Sequence, residues 1–176
     1  MKKTIFFLLL CLDLIFINPV VGKDAGHGRL NMRGSIIESA CTIDMNSLNQ
    51  TVDLGVITVG ELERNGRGTS VPFSINLINC TLEKLNPNAS NWRYFEITFD
   101  GENHNGLFIN KGSSQGVGVA LSDEKFKPSL PGIPLSQHLL SEGGISIKYY
   151  LALTHDAGKI KAGDFNTSIK YKIDYF

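Results

Sequence analysis

The chain is short of cysteine, of tryptophan and of any surplus charge. Three cysteines in 176 residues exclude a disulfide-dense miniature scaffold. No C-x-x-C pair occurs, and the lone thiols have no histidine at ligand spacing, so a zinc site is disfavoured. Seventeen basic and seventeen acidic residues cancel to a formal charge of zero. The sequence therefore has neither the basic surplus of a nucleic-acid binder nor an acidic, disordered tail. Long helical periodicity is also missing. No stretch sustains i, i+3, i+4 apolar spacing, and Ser136 to Glu142 allows one helical turn at most. There is no internal repeat and no low-complexity tract.

Catalytic constellations are missing too. No two of His27, His104, His138 and His155 are spaced as a metal-binding pair. His155-Asp156 sits before a turn and has no G-x-S-x-G serine to serve. Glu61 with Glu63, and Asp123 with Glu124, read as exposed loop charges. Gly112-Ser-Ser-Gln-Gly-Val-Gly118 lacks the Lys-Ser/Thr ending of a phosphate loop. Four Asn-x-Ser/Thr sequons read as chance matches. No enzyme activity and no cofactor are expected.

What the sequence has is alternation. Gly28, Leu30, Met32, Gly34 and Ile36 alternate with Arg29, Asn31, Arg33 and Ser35. Further candidate strands are Thr51 to Leu54, Val71 to Cys80, Tyr94 to Phe99, Val117 to Leu121 and Ile145 to Leu151. Arg64 to Gly68 reads as a flexible turn, and Pro128 to Pro134 as irregular or an edge. The last fourteen residues, Gly163 to Phe176, carry Phe165, Ile169, Tyr171, Ile173 and Tyr175 on odd positions. That period of two gives a strand with one apolar face. Short strands separated by Gly, Pro and Asn turns predict an all-β sandwich or barrel. An amphipathic strand at the end of the chain needs a partner, or it leaves an aggregation-prone edge.

Residues 1–22 read as a secretory signal peptide. Lys2-Lys3 precede the apolar run Ile5 to Ile17, which Asp13 interrupts, and Pro19-Val-Val-Gly22 supplies small residues before Lys23. A membrane anchor is the alternative, but the run is shorter than the ~20 residues needed to span a bilayer. Cys11 leaves with the signal. Cys41 and Cys80 then form an even pair in an oxidising compartment, which argues for one disulfide. Chain entropy assigns a loop of this size roughly 4 kcal/mol.

Four local features, in this order, resemble the pilins of chaperone–usher fimbriae. They are Gly28-Arg-Leu-Asn-Met-Arg-Gly34 running on to Cys41-Thr-Ile, then Gln50-Thr-Val-Asp-Leu-Gly55, then Phe73-Ser-Ile-Asn-Leu-Ile-Asn-Cys80, and finally Gly163 fourteenth from the end with penultimate Tyr175. Gly116 to Asp123 is similar to a mid-chain strand of the same family.

The resemblance implies an incomplete immunoglobulin-like β-sandwich that lacks its last strand and is completed by a donated one. It divides the chain into a signal (1–22), a donor-strand extension (23–36) and a pilin domain (37–176). Gly28, Leu30, Met32, Gly34 and Ile36 would be the inward face of the donor. Gly163, Phe165, Ile169, Tyr171, Ile173 and Tyr175 would be the groove-edge and chaperone-contact face. The implied partners are a periplasmic pilus chaperone, an outer-membrane usher and neighbouring pilin subunits, and the implied location is a bacterial surface fimbria reached through the periplasm. The chain has no room for the lectin domain of a tip adhesin, so a shaft, adaptor or terminating subunit is expected. Its charged and aromatic residues suggest a minor pilin. Phe176 departs from the polar final residue expected of the family. The competing reading is a secreted immunoglobulin-like module that recognises a host glycan or protein.

Overall fold

The computed structural model describes residues 28–34 and 36–176. The signal sequence, Cys11, His27 and Ser35 lie outside the described residues. The chain divides into Met1–Ile36 and Ile37–Phe176.

Ten strands and two short helices make up the second unit. The strands are β1 (Thr42–Ile43), β2 (Val71–Cys80), β3 (Tyr94–Asp100), β4 (Asn103–His104), β5 (Leu107–Ile109), β6 (Val117–Asp123), β7 (Pro128–Ser129), β8 (His138–Leu139), β9 (Gly143–His155) and β10 (Lys170–Tyr175). The helices are α1 (Met45–Leu48) and α2 (Val59–Asn65). One sheet has the order β1-β2-β9-β6-β5-β4, with β7 paired to β6. The other has the order β10-β3-β8. All pairings between named strands are antiparallel. Pro72 lies in β2 opposite Tyr150, where β1 no longer covers the other edge. Its missing N–H therefore breaks no ladder bond.

The core lies between the sheets. Phe95, Ile97 and Phe99 of β3 face Ile75 and Leu77 of β2, Val119 and Leu121 of β6 and Tyr149 of β9, all buried. The Phe99 ring stands edge-on to Tyr149 with centroids 4.9 Å apart, a favoured aromatic geometry. Cys41 and Cys80 form the expected disulfide. It ties the chain just before β1 to the end of β2.

Gly28–Gly34 and Ile36 carry no strand assignment within the single chain, which leaves the expectation of a strand donated to another subunit as it stood. Several local expectations are corrected. Thr51–Leu54 is not a strand, because it has no neighbouring backbone to pair with among the described residues. Arg64 to Gly68 is not a flexible turn but the end of α2. The Thr58 side chain accepts the Glu61 N–H at the start of this helix, and Gly66, at φ 72, closes it by donating its N–H to the Leu62 carbonyl. The turn allowed at Ser136 to Glu142 is strand β8, recruited by pairing with Tyr94 and Phe95. The final strand starts at Lys170 rather than Gly163.

Tyr149 is fully buried and its hydroxyl has no hydrogen-bond partner. Burial, with Asp123 and then Glu124 adding to it, pushes this phenol far above its ordinary value of 10.0. The unfolded chain ionises at that ordinary value while the folded chain does not, so stability is complete below it and falls as pH rises beyond it. Alkaline denaturation should set in above the ordinary phenol value, and Tyr149→Phe should blunt it. The same change removes an unsatisfied buried hydroxyl, so at neutral pH it should be neutral or stabilising by about 1 kcal/mol. Denaturant titrations of both proteins across pH test this. A loss of stability at neutral pH would mean that the hydroxyl is satisfied.

Candidate functional site

A groove of about 1130 Å³ runs between the two sheets. Its margins are two segments far apart in sequence, one running from Ser47 to Val59 and the other from Ile160 to Tyr171. Its floor is apolar, formed by Phe73, Phe99, Val119, Leu121, Leu151 and Leu153. These side chains come from four strands that alternate for independent reasons, so the floor follows from the core pattern.

The margins are unusual in their backbone. No backbone group of residues 50–57 is bonded to another backbone group, among the described residues. The second margin is bonded on one side only. Lys161 exchanges both bonds with Gln115, the Asp164 carbonyl accepts from Ser114, and the Asn166 carbonyl accepts from Lys111. The residues between, Gly163, Phe165 and Thr167, form no backbone–backbone bond among the described residues. In extended chain, alternate residues direct their N–H and C=O to opposite sides. The unbonded set therefore belongs to the other side of the segment, away from the strap. Downstream, β10 is the edge of its sheet.

Asn110 fixes this margin from outside. Its Nδ2 donates to the Ser114 carbonyl and hydroxyl at 2.8 and 2.7 Å. Its Oδ1 accepts from the Gly112 N–H at 2.7 Å and the Asn166 N–H at 2.9 Å. Of the phosphate-loop-like glycines, Gly112 serves this strap, while Gly116 meets the Lys159 backbone and Gly118 meets β5. A Cβ on Gly112 would collide with the Asp164 carbonyl, and one on Gly163 would lie 2.6 Å from Ser113 Oγ and 2.7 Å from Ser114 N. Gly163 is thus required by close backbone approach.

The two margins meet at one end. The Tyr171 hydroxyl donates to the Ser47 carbonyl at 2.8 Å, and these two residues are the last lining members of their segments. Burial raises the Tyr171 phenol above its ordinary value. At the other end Ile57 packs against Gly68, whose N–H donates to the Leu153 carbonyl, and Val56 stands free in solvent.

Of the groove-edge residues expected from sequence, Gly163, Phe165, Ile169 and Tyr171 line the groove. Ile173 and Tyr175 do not line it. They are half-buried against the core, beyond the Tyr171–Ser47 bond. The donor-face residues Leu30, Met32 and Ile36 are 82, 84 and 103 % exposed. A Cβ on Gly28 or Gly34 would meet nothing within 4 Å. The sequence reading singled out Gln50–Gly55 as a short strand but did not place the Ser47–Val59 segment at the groove, and it missed Asn110 and the Tyr171–Ser47 bond. The buried, small, polar Ser47 carries no local signal for its role.

Residues 30–175 match the family model for "Fimbrial protein", and the chain belongs to that family. It is 29 % identical over 177 residues to the major MR/P fimbria protein of Proteus mirabilis, covering 99 % of each chain. Its fold is similar to that of the P pilus rod subunit PapA, with TM-score 0.67 and 18 % identity, covering 78 % of this chain and 100 % of that one. A chain from a chaperone–usher pilus structure concerned with rod uncoiling gives TM-score 0.68 at 17 % identity, with 88 and 98 % covered. The protein is a subunit of chaperone–usher fimbriae, exported through the periplasm to the cell surface, and it is structural rather than enzymatic.

Gly163→Ala should displace the 160–171 margin and cost about 1–3 kcal/mol. Gly144→Ala, whose Cβ would lie an ordinary 3.5 Å from the Leu77 carbonyl, should cost less. Denaturant midpoints of the two variants, with equal slopes, check the ranking. Equal losses would mean that the strap has no tight contact.

Proposed function

We infer that the groove takes a β-strand donated from outside the subunit, and that this is how the chain enters a fibre. A periplasmic chaperone supplies the strand first. At the outer-membrane usher, the extension of the next subunit replaces it. The observation that carries the reading is the groove itself, with an apolar floor between two margins whose facing backbone groups lack partners. An extended segment satisfies both needs together. Its backbone bonds the margins and its alternate side chains reach the floor.

Residues 28–36 suit the donor role. Nine residues in extended form span about 30 Å, comparable to margins of similar residue count. Leu30, Met32 and Ile36 share one face and stand in solvent. Burying them contributes about 1.5–3 kcal/mol each, before the cost of association. Gly34 on the same face suits a shallow stretch of floor. The Tyr171–Ser47 bond joins the margins at one end, so the donor's continuing chain leaves at the Ile57 end. That sense makes it antiparallel to the 160–171 margin. Sequence alone left open whether the groove is filled from within; no segment of 37–176 occupies it, which favours an accepting subunit over a terminator.

Addition of a synthetic peptide of residues 28–36 to the full chain should raise Tm with concentration. At a hundredfold excess over Kd the gain is about 2.7 kcal/mol, or roughly 5–10 °C for a domain of this size. The same peptide carrying Leu30→Asp should give no shift. A Tm indifferent to the native peptide sinks the reading.

A further inference from the structure

The expected departure at Phe176 leads to a surface that strand donation does not use. The Phe176 N–H donates to the Tyr94 carbonyl, and its own carbonyl accepts from Arg93 and Tyr94. Tyr94 is in turn paired with Leu139 of β8. Phe176, Tyr94 and Leu139 therefore form one cross-strand row. Their neighbours Tyr175 and Phe95 face the core, so the row faces outward, with exposures of 52, 42 and 72 %. Three large apolar side chains side by side on a sheet mark an interface more than a scattered exposed leucine does.

This row lies at the root of the extension. Tyr175 packs edge-on to Trp92 at 6.1 Å, and burial raises its phenol above the ordinary value, with the nearby Ser39 side chain opposing the rise. Glu38 Oε1 accepts the Leu85 N–H at 2.7 Å, and the Ala40 carbonyl accepts from Thr81. The chain is thus fixed to the domain from Glu38 onward. Leu85 and Ile37 are themselves exposed, at 88 and 78 %. Together with the row they form an apolar collar where the extension begins.

We propose that this collar is a second subunit contact, and that its occupant is the groove mouth of a second copy of this chain. The proposal rests on strand donation, and its argument is the length of the tether. If residues 28–36 lie in a neighbour's groove, only Ile37 separates them from the anchored Glu38. One residue spans at most about 3.6 Å. The neighbour's mouth is then held against the collar whatever else happens. The mouth of this chain offers one large exposed apolar side chain, Val56, 99 % accessible beside the half-buried Ile57, among the exposed polar Thr58 and Lys161. Collar and mouth are different surfaces of one chain, so the contact is head-to-tail and continues along a fibre. It sets the angle and stiffness of the joint, while the donated strand sets its strength.

The test compares two bindings of the same full chain. Tyr94→Ser/Leu139→Ser/Phe176→Ser alters exposed side chains only. Ile37→Ser/Leu85→Ser is a second variant for use if the first does not fold. Each should take up the synthetic peptide of residues 28–36 as acceptor with unchanged Kd. Polymers of each should dissociate about tenfold faster than wild type in mild denaturant, a change of the size that ~1.4 kcal/mol confers. Polymers of wild-type persistence would overturn the proposal. So would a variant that polymerises normally but is no longer held by its chaperone, since the collar would then belong to the chaperone. Failure of the wild-type chain to bind the peptide would remove strand donation itself, and the proposal with it.

Discussion

Everything peculiar to this molecule depends on one unmet demand: two lengths of backbone face each other across an apolar floor with no strand between them among the described residues. Residues 50–57 and 160–171 are exposed or half-buried, so water can meet their unpaired N–H and carbonyl groups, but an open edge of this kind invites pairing with another strand. A self-sufficient domain would close such a gap. Here the neighbouring structure holds it open. The strap from Asn110 to Gln115 pulls the 160–166 segment outward, and the Tyr171–Ser47 bond pins the margins together only at one end. The gap is a maintained feature with defined ends.

That rigidity has a glycine requirement. Gly112 and Gly163 let two backbones approach more closely than any side chain permits. The resemblance to known pilins marked Gly163 by its distance from the last residue. The structure gives the physical reason for it: Ser113 and Ser114 occupy the space a Cβ would need. The phosphate-loop look of Gly112 to Gly118 has the same origin, since close backbone packing selects for glycine as strongly as anion binding does.

Much of the fold was legible because strands two layers deep must alternate. β2, β6, β9 and β10 were readable from period two alone. Other elements carried signals that went unread. Thr58-Val-Gly-Glu61 is a capping-box sequence and opens α2. Asn105-Gly106 between β4 and β5 is the standard two-residue hairpin turn, with φ of 51 and 81. The limits of the site were not legible on physical grounds. Ser47 and Tyr171 are 124 residues apart, and no local pattern encodes a contact that only tertiary packing creates. Periodicity likewise placed Ile173 and Tyr175 on the groove face because it reports which face is apolar. It does not report where along that face the core ends and the groove begins.

The division of β10 at Tyr171 also separates two tasks along one strand. Up to Tyr171 the segment lines the groove. Beyond it, Ile173 and Tyr175 hold the core, and Tyr175 reaches Trp92 and Ser39. The acceptor surface and the root of the extension are therefore joined through six residues of rigid strand. On the strand-donation reading, a load on a strand bound at the groove margin would pass along β10 and its ladder to β3. On that reading each subunit of a linear fibre would transmit force from the strand it accepts to the strand it gives. The β10–β3 ladder is antiparallel along the whole of β10, so such a load strains its bonds in shear, while the Cys41–Cys80 disulfide ties the chain that follows the extension to β2 of the other sheet.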